Sequence, residues 1–238
     1  YIFDEFKYVP PEKRPAVWDQ GGLQWRLDQG KGVLRSGVSS GFIQKYVKGF
    51  SHRTFLRTAQ DIFQEFLLAH ASGDLKALRL LVTEGLHQGI AKEIRAAEAG
   101  SDRLRPAFAF DAFEKPAEVL QMRHGQAPGT RKPGALGFGQ VTCLLHSRRR
   151  IVHVDGRGKT VPLSPASGAP AADQAVGEGS DPQAPSVLRV PSLCVYEVSF
   201  SDPKSTWRLA RIEELGDVTH APRNLREQEQ RRSRPPVR

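Results

Sequence analysis

At about residue 102 the hydrophobic period of the chain changes from 3.6 to about 2, and this switch restricts the fold more than any other feature. Before it lies FLRTAQDIFQEFLLAHASGDLKALRLLVTEGL, Phe55 to Leu86. Phe55, Ala59, Ile62, Phe63, Phe66, Leu67 and His70 fall on one helical stripe. Gly73 suits a left-handed C-terminal cap, and Asp74 can N-cap a second helix. That helix turns Leu75, Leu78, Leu81 and Val82 inward, and Gly85 is its expected stop. A more charged third helix is predicted from Leu86 to Ala99, ended by Ala99–Asp102.

Beyond the switch the runs are strand-like: Ala107–Phe113, Glu118–His124, Phe138–Ser147, Val190–Phe200 and Thr206–Leu215. In Glu118–His124, Val119, Gln121 and Arg123 alternate against Leu120, Met122 and His124. RIVHVDGRGKTVPL predicts a hairpin about Asp155–Gly158. Helices followed by several antiparallel strands predict an α+β domain, with the helices packed on one face of a curved antiparallel sheet.

The predicted organisation has three parts. Residues 1–50 form an extended N-terminal tail with a short amphipathic helix at Gly41–Phe50, whose apolar face is Phe42, Ile43, Tyr46, Val47 and Phe50. Pro10, Pro11 and Pro15 break any earlier helix. Residues 51–215 form the α+β domain, interrupted by an Ala-, Pro-, Gly- and Ser-rich insertion at 164–186 that cannot bury enough apolar area to order itself. Residues 216–238 form a basic tail.

A formal net charge of +9 suggests a polyanionic partner, either nucleic acid or an anionic membrane surface, with a merely basic soluble protein as the alternative. No apolar run approaches the roughly 20 residues that span a bilayer. The chain starts at Tyr1, so targeting is not read from it. Cys143 and Cys194 lie far apart in apolar runs and outside any metal-ligand spacing, which suits small hydrophobes in a reducing compartment.

Asp111, His124, His146, His153 and Asp155 are the available acid/base groups, with His146 and His153 expected in neighbouring strands. They form no set of nucleophile, base and orienting group, and DGRGK lacks the phosphate-loop pattern. No catalytic residue, metal or cofactor is therefore expected. Arg148, Arg149 and Arg150 end one predicted strand and begin the next, either as a solvated corner or as a phosphate clamp suited to the guanidinium fork. Lys45, Lys48, Arg53, Arg57, Arg231, Arg232 and Arg234 complete the RNA- or anion-binding candidates. In the tail, Phe3, Phe6 and Tyr8 are aromatic anchors and Pro10–Pro11 supplies stiffness, a composition that orders either by lying in a groove made by others or by folding back onto the domain's own sheet.

The stretch Phe55–Leu86 resembles the helical start of the large-subunit mitochondrial ribosomal protein L forty-five family. That family shares a superfamily with subunit forty-four of the inner-membrane translocase. The likeness continues at VLQMRH, GFGQVTCLLHSRRR, HVDGRGK, STWRLARI and IFDEFKYVPPE, and covers most of residues 1 to 215. It implies a cystatin-like fold, similar to nuclear transport factor two, with helices covering a strongly bent sheet. It implies a non-enzymatic structural role in the mitoribosomal large subunit near the polypeptide exit tunnel, on the matrix side of the inner membrane. The implied partners are mitochondrial ribosomal RNA, other large-subunit proteins, the inner membrane or its insertase, and the nascent chain. The sibling role, an inner-membrane tether or import-motor subunit, is the alternative. The insertion at 164–186, the APGTRKPGALG loop and the Arg-rich C-terminus depart from the family pattern.

Overall fold

The computed structural model describes residues 8–10, 13–16, 18–19, 21–98, 105–125, 137–154, 160–161, 187–202 and 204–215. Four helices come first: α1 (Gly22–Tyr46), α2 (His52–Ser72), α3 (Leu75–Leu81) and α4 (Glu84–Glu98). The strands follow: β1 (Arg105–Phe113), β2 (Glu118–Gly125), β3 (Phe138–Val154), β4 (Thr160–Val161), β5 (Val187–Ser199) and β6 (Arg208–Glu214). They make one antiparallel sheet of order β1-β3-β5-β6, with β2 and β4 also paired to β3. The sheet is not closed. The α+β architecture is the one expected from the change of period.

Local signals place α2 and α3. Ser51 and Thr54 form a reciprocal capping box: the Thr54 N–H donates to Ser51 Oγ at 3.1 Å, and the Ser51 N–H to Thr54 Oγ1 at 3.0 Å. Gly73 takes the left-handed cap at φ 75°, and Asp74 accepts from the Lys76 and Ala77 N–H groups. The predicted stripe of α2 is buried except for His70, which is half-buried.

Four expectations are corrected. From Gly22 onward, the predicted extended tail and short Gly41–Phe50 helix are replaced by α1, a 25-residue helix. The prolines that break the chain all precede Gly22. The helix went unread because Gly22, Gly30, Gly32, Gly37 and Gly41 weaken its propensity and its apolar residues share no single face. Tertiary packing holds it instead, along the free edge of β2. Ser36 Oγ accepts the Met122 N–H at 3.2 Å, Phe42 stacks on His124 at 4.1 Å, and Ile43 is buried. Ser39 Oγ donates to the Arg35 carbonyl at 2.8 Å, so it accepts from His124 Nδ1 at 3.0 Å. An exposed strand edge is thereby covered.

Gly85 is not a stop. Val82 turns extended and bridges Leu209, and the Thr83 N–H donates to the Leu209 carbonyl at 2.9 Å, so α3 ends at Leu81 and Gly85 enters α4. The predicted break at Arg148–Arg150 is absent: β3 runs 17 residues without interruption. Its first half pairs with β2 and its second half with β1 on one edge, while β5 pairs along the other. The register of β4, with His153 opposite Val161, agrees with the predicted hairpin, whose turn lies outside the described residues. In β2 a bulge at Leu120 replaces strict alternation, so Val119 and Met122 both face the core.

The sheet meets the helices through a dense aromatic corner. Phe55 packs edge-on to Trp207 at 4.7 Å and to Tyr196 at 5.7 Å, and Phe50 lies 5.9 Å from both Phe55 and Trp207. Buried Tyr196 donates its hydroxyl to the Ala59 carbonyl of α2 at 2.7 Å. Gly139 is the tightest crossing: a Cβ there would stand 2.9 Å from Phe200 Cζ and 3.0 Å from Ile43 Cγ1. Only glycine lets β3, Phe200 and α1 approach this closely.

Candidate functional site

Strand alternation divides the arginine triplet. Arg148 and Arg150 are exposed, while Arg149 is 1% exposed and the largest fully buried side chain. Its Nε donates to Ser147 Oγ at 2.8 Å, Nη1 to Glu214 Oε1 at 2.5 Å and Nη2 to Ser192 Oγ at 2.6 Å. The guanidinium carbon lies 5.1 Å from the Phe63 ring centroid and 5.5 Å from that of Phe108. Arg149 therefore joins the helical layer to the sheet through cation–π contacts and buried hydrogen bonds. No polyanion can reach it, which corrects its place among the RNA-binding candidates.

Arg148 and Arg150 occupy the opposite face with Asp111. A bulge between Phe110 and Ala112 leaves Asp111 without a cross-strand partner in β3. Its carboxylate accepts Arg148 Nε at 2.5 Å, and Arg150 Nη2 stands 4.0 Å away. Arg189 lies opposite Arg148 across the β3–β5 pairing, and its Nε pairs with Glu114 at 3.1 Å. Three guanidiniums thus face two carboxylates, and a phosphate binding here would compete with Asp111 and Glu114. Sequence reasoning missed Arg189 and the ion-pair role of Asp111, because both follow from register and a bulge.

A second basic group gathers at the α1–α2 corner. Lys45 closes the last turn of α1 with Nζ 5.5 Å from the Tyr46 ring centroid, and Lys48 is exposed in the connecting turn. Arg53 and Arg57 are exposed on the first turns of α2. Ser40 Oγ lies 3.3 Å from His52 Nε2, which ties the two helices at this corner. Among the described residues none of these four cations forms an ion pair. They are available to an external anion in a way that Arg148 and Arg150 are not.

The remaining candidates separate widely. Tyr8 and Pro10 are half-buried and belong to no helix or strand. Phe3, Phe6, Pro11, Arg231, Arg232 and Arg234 lie outside the described residues, as does the 164–186 insertion. His146 and His153 sit on the same strand, not on neighbouring ones. Burial, followed by the Lys115 charge, lowers the pKa of His146 from its ordinary 6.5. Cys143 and Cys194 are buried directly opposite each other as free thiols, and burial raises both pKa values. Among the described residues no group of three His, Cys, Asp or Glu side chains could hold a metal ion. Among them too, no helix is long and apolar enough to cross a membrane.

No protein-family model matches the chain. It is 25% identical over 210 residues to the large ribosomal subunit protein mL45 of Bos taurus. The chain is similar to mL45. The match covers 87% of the chain and bears out the family likeness carried by Phe55–Leu86 and the strand motifs. The chain spans 58% of the length of the mL45 protein it matches. Among solved structures, the intermembrane space region of the chloroplast protein ARC6 is similar at 13% identity and TM-score 0.35, over 68% of this chain and 96% of that one. The likeness to ARC6 is too loose to bear on function.

Proposed function

We propose that the protein is a structural, non-enzymatic constituent of the mitochondrial large ribosomal subunit. The observation that carries this reading is the similarity to mL45 along 87% of the chain. Ribosomal RNA is the polyanion that a net charge of +9 would meet. Its contact surface is the unpaired Lys45, Lys48, Arg53 and Arg57 corner, with Arg148 and Arg150 as a secondary site in exchange with Asp111. The partners are mitochondrial ribosomal RNA and neighbouring large-subunit proteins.

The finer reading places the protein near the polypeptide exit tunnel, on the matrix side of the inner membrane. There the segment containing Phe3, Phe6, Tyr8 and Pro10–Pro11 lies in a groove and meets the nascent chain. The surface of α1 supports membrane or insertase contact. Leu23, Leu27, Leu34 and Val38 are exposed on it, interleaved with Arg26, Lys31 and Arg35. Exposed apolar side chains set among cations in this way suit an anionic interface.

A sucrose gradient of detergent-lysed organelles tests the core claim. The protein should co-migrate with the large subunit after detergent has removed the membrane. Release into the membrane-derived fraction, with none on the subunit, would favour the inner-membrane tether of the sibling family.

A further inference from the structure

The RNA-facing corner does not account for the far end of α2, where an open groove with apolar and acidic walls lies between α2 and α3. Glu65, Leu68, Ala69 and Ser72 recur at i, i+3, i+4 and i+7 along α2. Ala77 and Leu80 face them from α3, across an open groove of about 610 Å³. Leu68 is 55% exposed and Leu80 is 71% exposed. Leucines this exposed, gathered on one groove, mark a surface that a partner covers.

The charge around the groove selects the partner. Its lining contains Glu65 and Asp74 and no basic side chain. Asp74 Oδ1 is committed to the Lys76 and Ala77 N–H groups, so the N-cap fixes this carboxylate at the rim. Among the described residues Glu65 makes no ion pair. In a chain of net charge +9 this is an acidic exception. Two rim carboxylates repel RNA phosphates and anionic lipid headgroups, and attract ammonium and guanidinium groups.

We propose that the α2–α3 groove docks an amphipathic segment of another protein, with apolar side chains inserted between Leu68 and Leu80 and Lys or Arg beside Glu65 and Asp74. The mode is a helix in a groove, read through i, i+3, i+4 and i+7 anchors. This interaction goes beyond the ribosomal reading and does not depend on it, since the groove belongs to the isolated domain.

Two probe peptides test it by fluorescence anisotropy on the full chain. Each is about 16 residues long, near the length an isolated helix needs. Both carry the same leucine stripe; one is flanked by Lys and the other by Glu. The Lys peptide should bind about five-fold tighter than the Glu peptide, the ratio one water-exposed charge contact supplies. Glu65→Lys should remove that preference, and Leu80→Asp should abolish binding of both. Leu80 is exposed, so its substitution should leave the melting temperature unchanged, and that is checked alongside. Absence of binding by either peptide, equal affinities, or indifference to Leu80→Asp would overturn the proposal. So would capture of anionic vesicles or an RNA oligonucleotide that Leu80→Asp prevents.

Discussion

Arg149→Ala should cost the domain about 3–5 kcal/mol, the range for removing one partner of a buried charged network. Two losses combine. Truncating a large side chain at 1% exposure leaves a cavity, worth about 2–5 kcal/mol at core positions. The Ser147 and Ser192 hydroxyls lose their donor, and each buried unsatisfied group costs about 1–3 kcal/mol when it cannot relax. Glu214 adds little, because its side chain is 43% exposed and rehydrates. At about 2–4 °C per kcal/mol for a domain of this size, the melting temperature should fall by roughly 10 °C. Arg149→Met keeps most of the volume and removes the charge, and buried ion pairs replaced in this way are often near neutral, so it should stay within about 1.5 kcal/mol of the parent. Urea unfolding followed by circular dichroism measures both variants, and binding of a ribosomal RNA fragment is measured beside it. The reasoning is refuted if Arg149→Ala unfolds at the parental midpoint while RNA affinity drops. That result would place Arg149 at the surface with its neighbours.

Gly139→Ala should destabilise by about 1–3 kcal/mol, since the new Cβ meets Phe200 and Ile43 at 2.9 and 3.0 Å; an unchanged melting curve would mean that α1 is not seated there. Tyr196→Phe should cost about 1 kcal/mol by removing the 2.7 Å bond to Ala59, read from the denaturant midpoint. His146 has a folded pKa below its ordinary 6.5, so its contribution to stability is present above that pH and is lost as pH falls below it. His146→Gln should flatten stability between pH 7 and the mildly acid range, about pH 5.5; an unaltered slope there would assign the dependence to another group. Arg53→Glu with Arg57→Glu should weaken RNA binding and reduce the salt slope by about 1 for each phosphate contact removed, whereas an unchanged slope would move the RNA contact elsewhere.

The parts of the fold legible in the sequence are those governed by local chemistry. The stripe from Phe55 to Leu67 is the core of α2, and Gly73 and Asp74 punctuate it as their backbone and side-chain chemistry requires. The parts missed depend on contacts distant in sequence. α1 carries five glycines and no clean apolar stripe, so its contacts with the sheet through Ser36, Ser39, Phe42 and Ile43 account for it. Gly85 looked like a stop because the bridge from Val82 to Leu209 joins residues 127 apart, counting 209 − 82. The cysteines, distant in sequence, are cross-strand neighbours because β3 and β5 pair along their length.

The arginine triplet shows why a charge run is a poor guide to a binding surface. Val141, Cys143 and Leu145 face the helical layer, and Arg149 follows them at the same parity. That parity was hidden because Gln140, Thr142 and Leu144 are also buried, so the first half of β3 shows no alternation of apolar and polar residues. Once the strand continues past Ser147, one of the three arginines must point inward, where a charge is tolerable only with partners. Glu214 at the end of β6 supplies the counter-charge, and Phe63 and Phe108 supply ring faces. The two arginines left outside share the carboxylate of Asp111, which the β1 bulge frees from strand pairing. Self-neutralisation on that face leaves Lys45, Lys48, Arg53 and Arg57 as the stronger attractor for a phosphate backbone. A polyanion that approaches this domain should therefore gain more at the helical corner than at the strand that carries the longest run of positive charge.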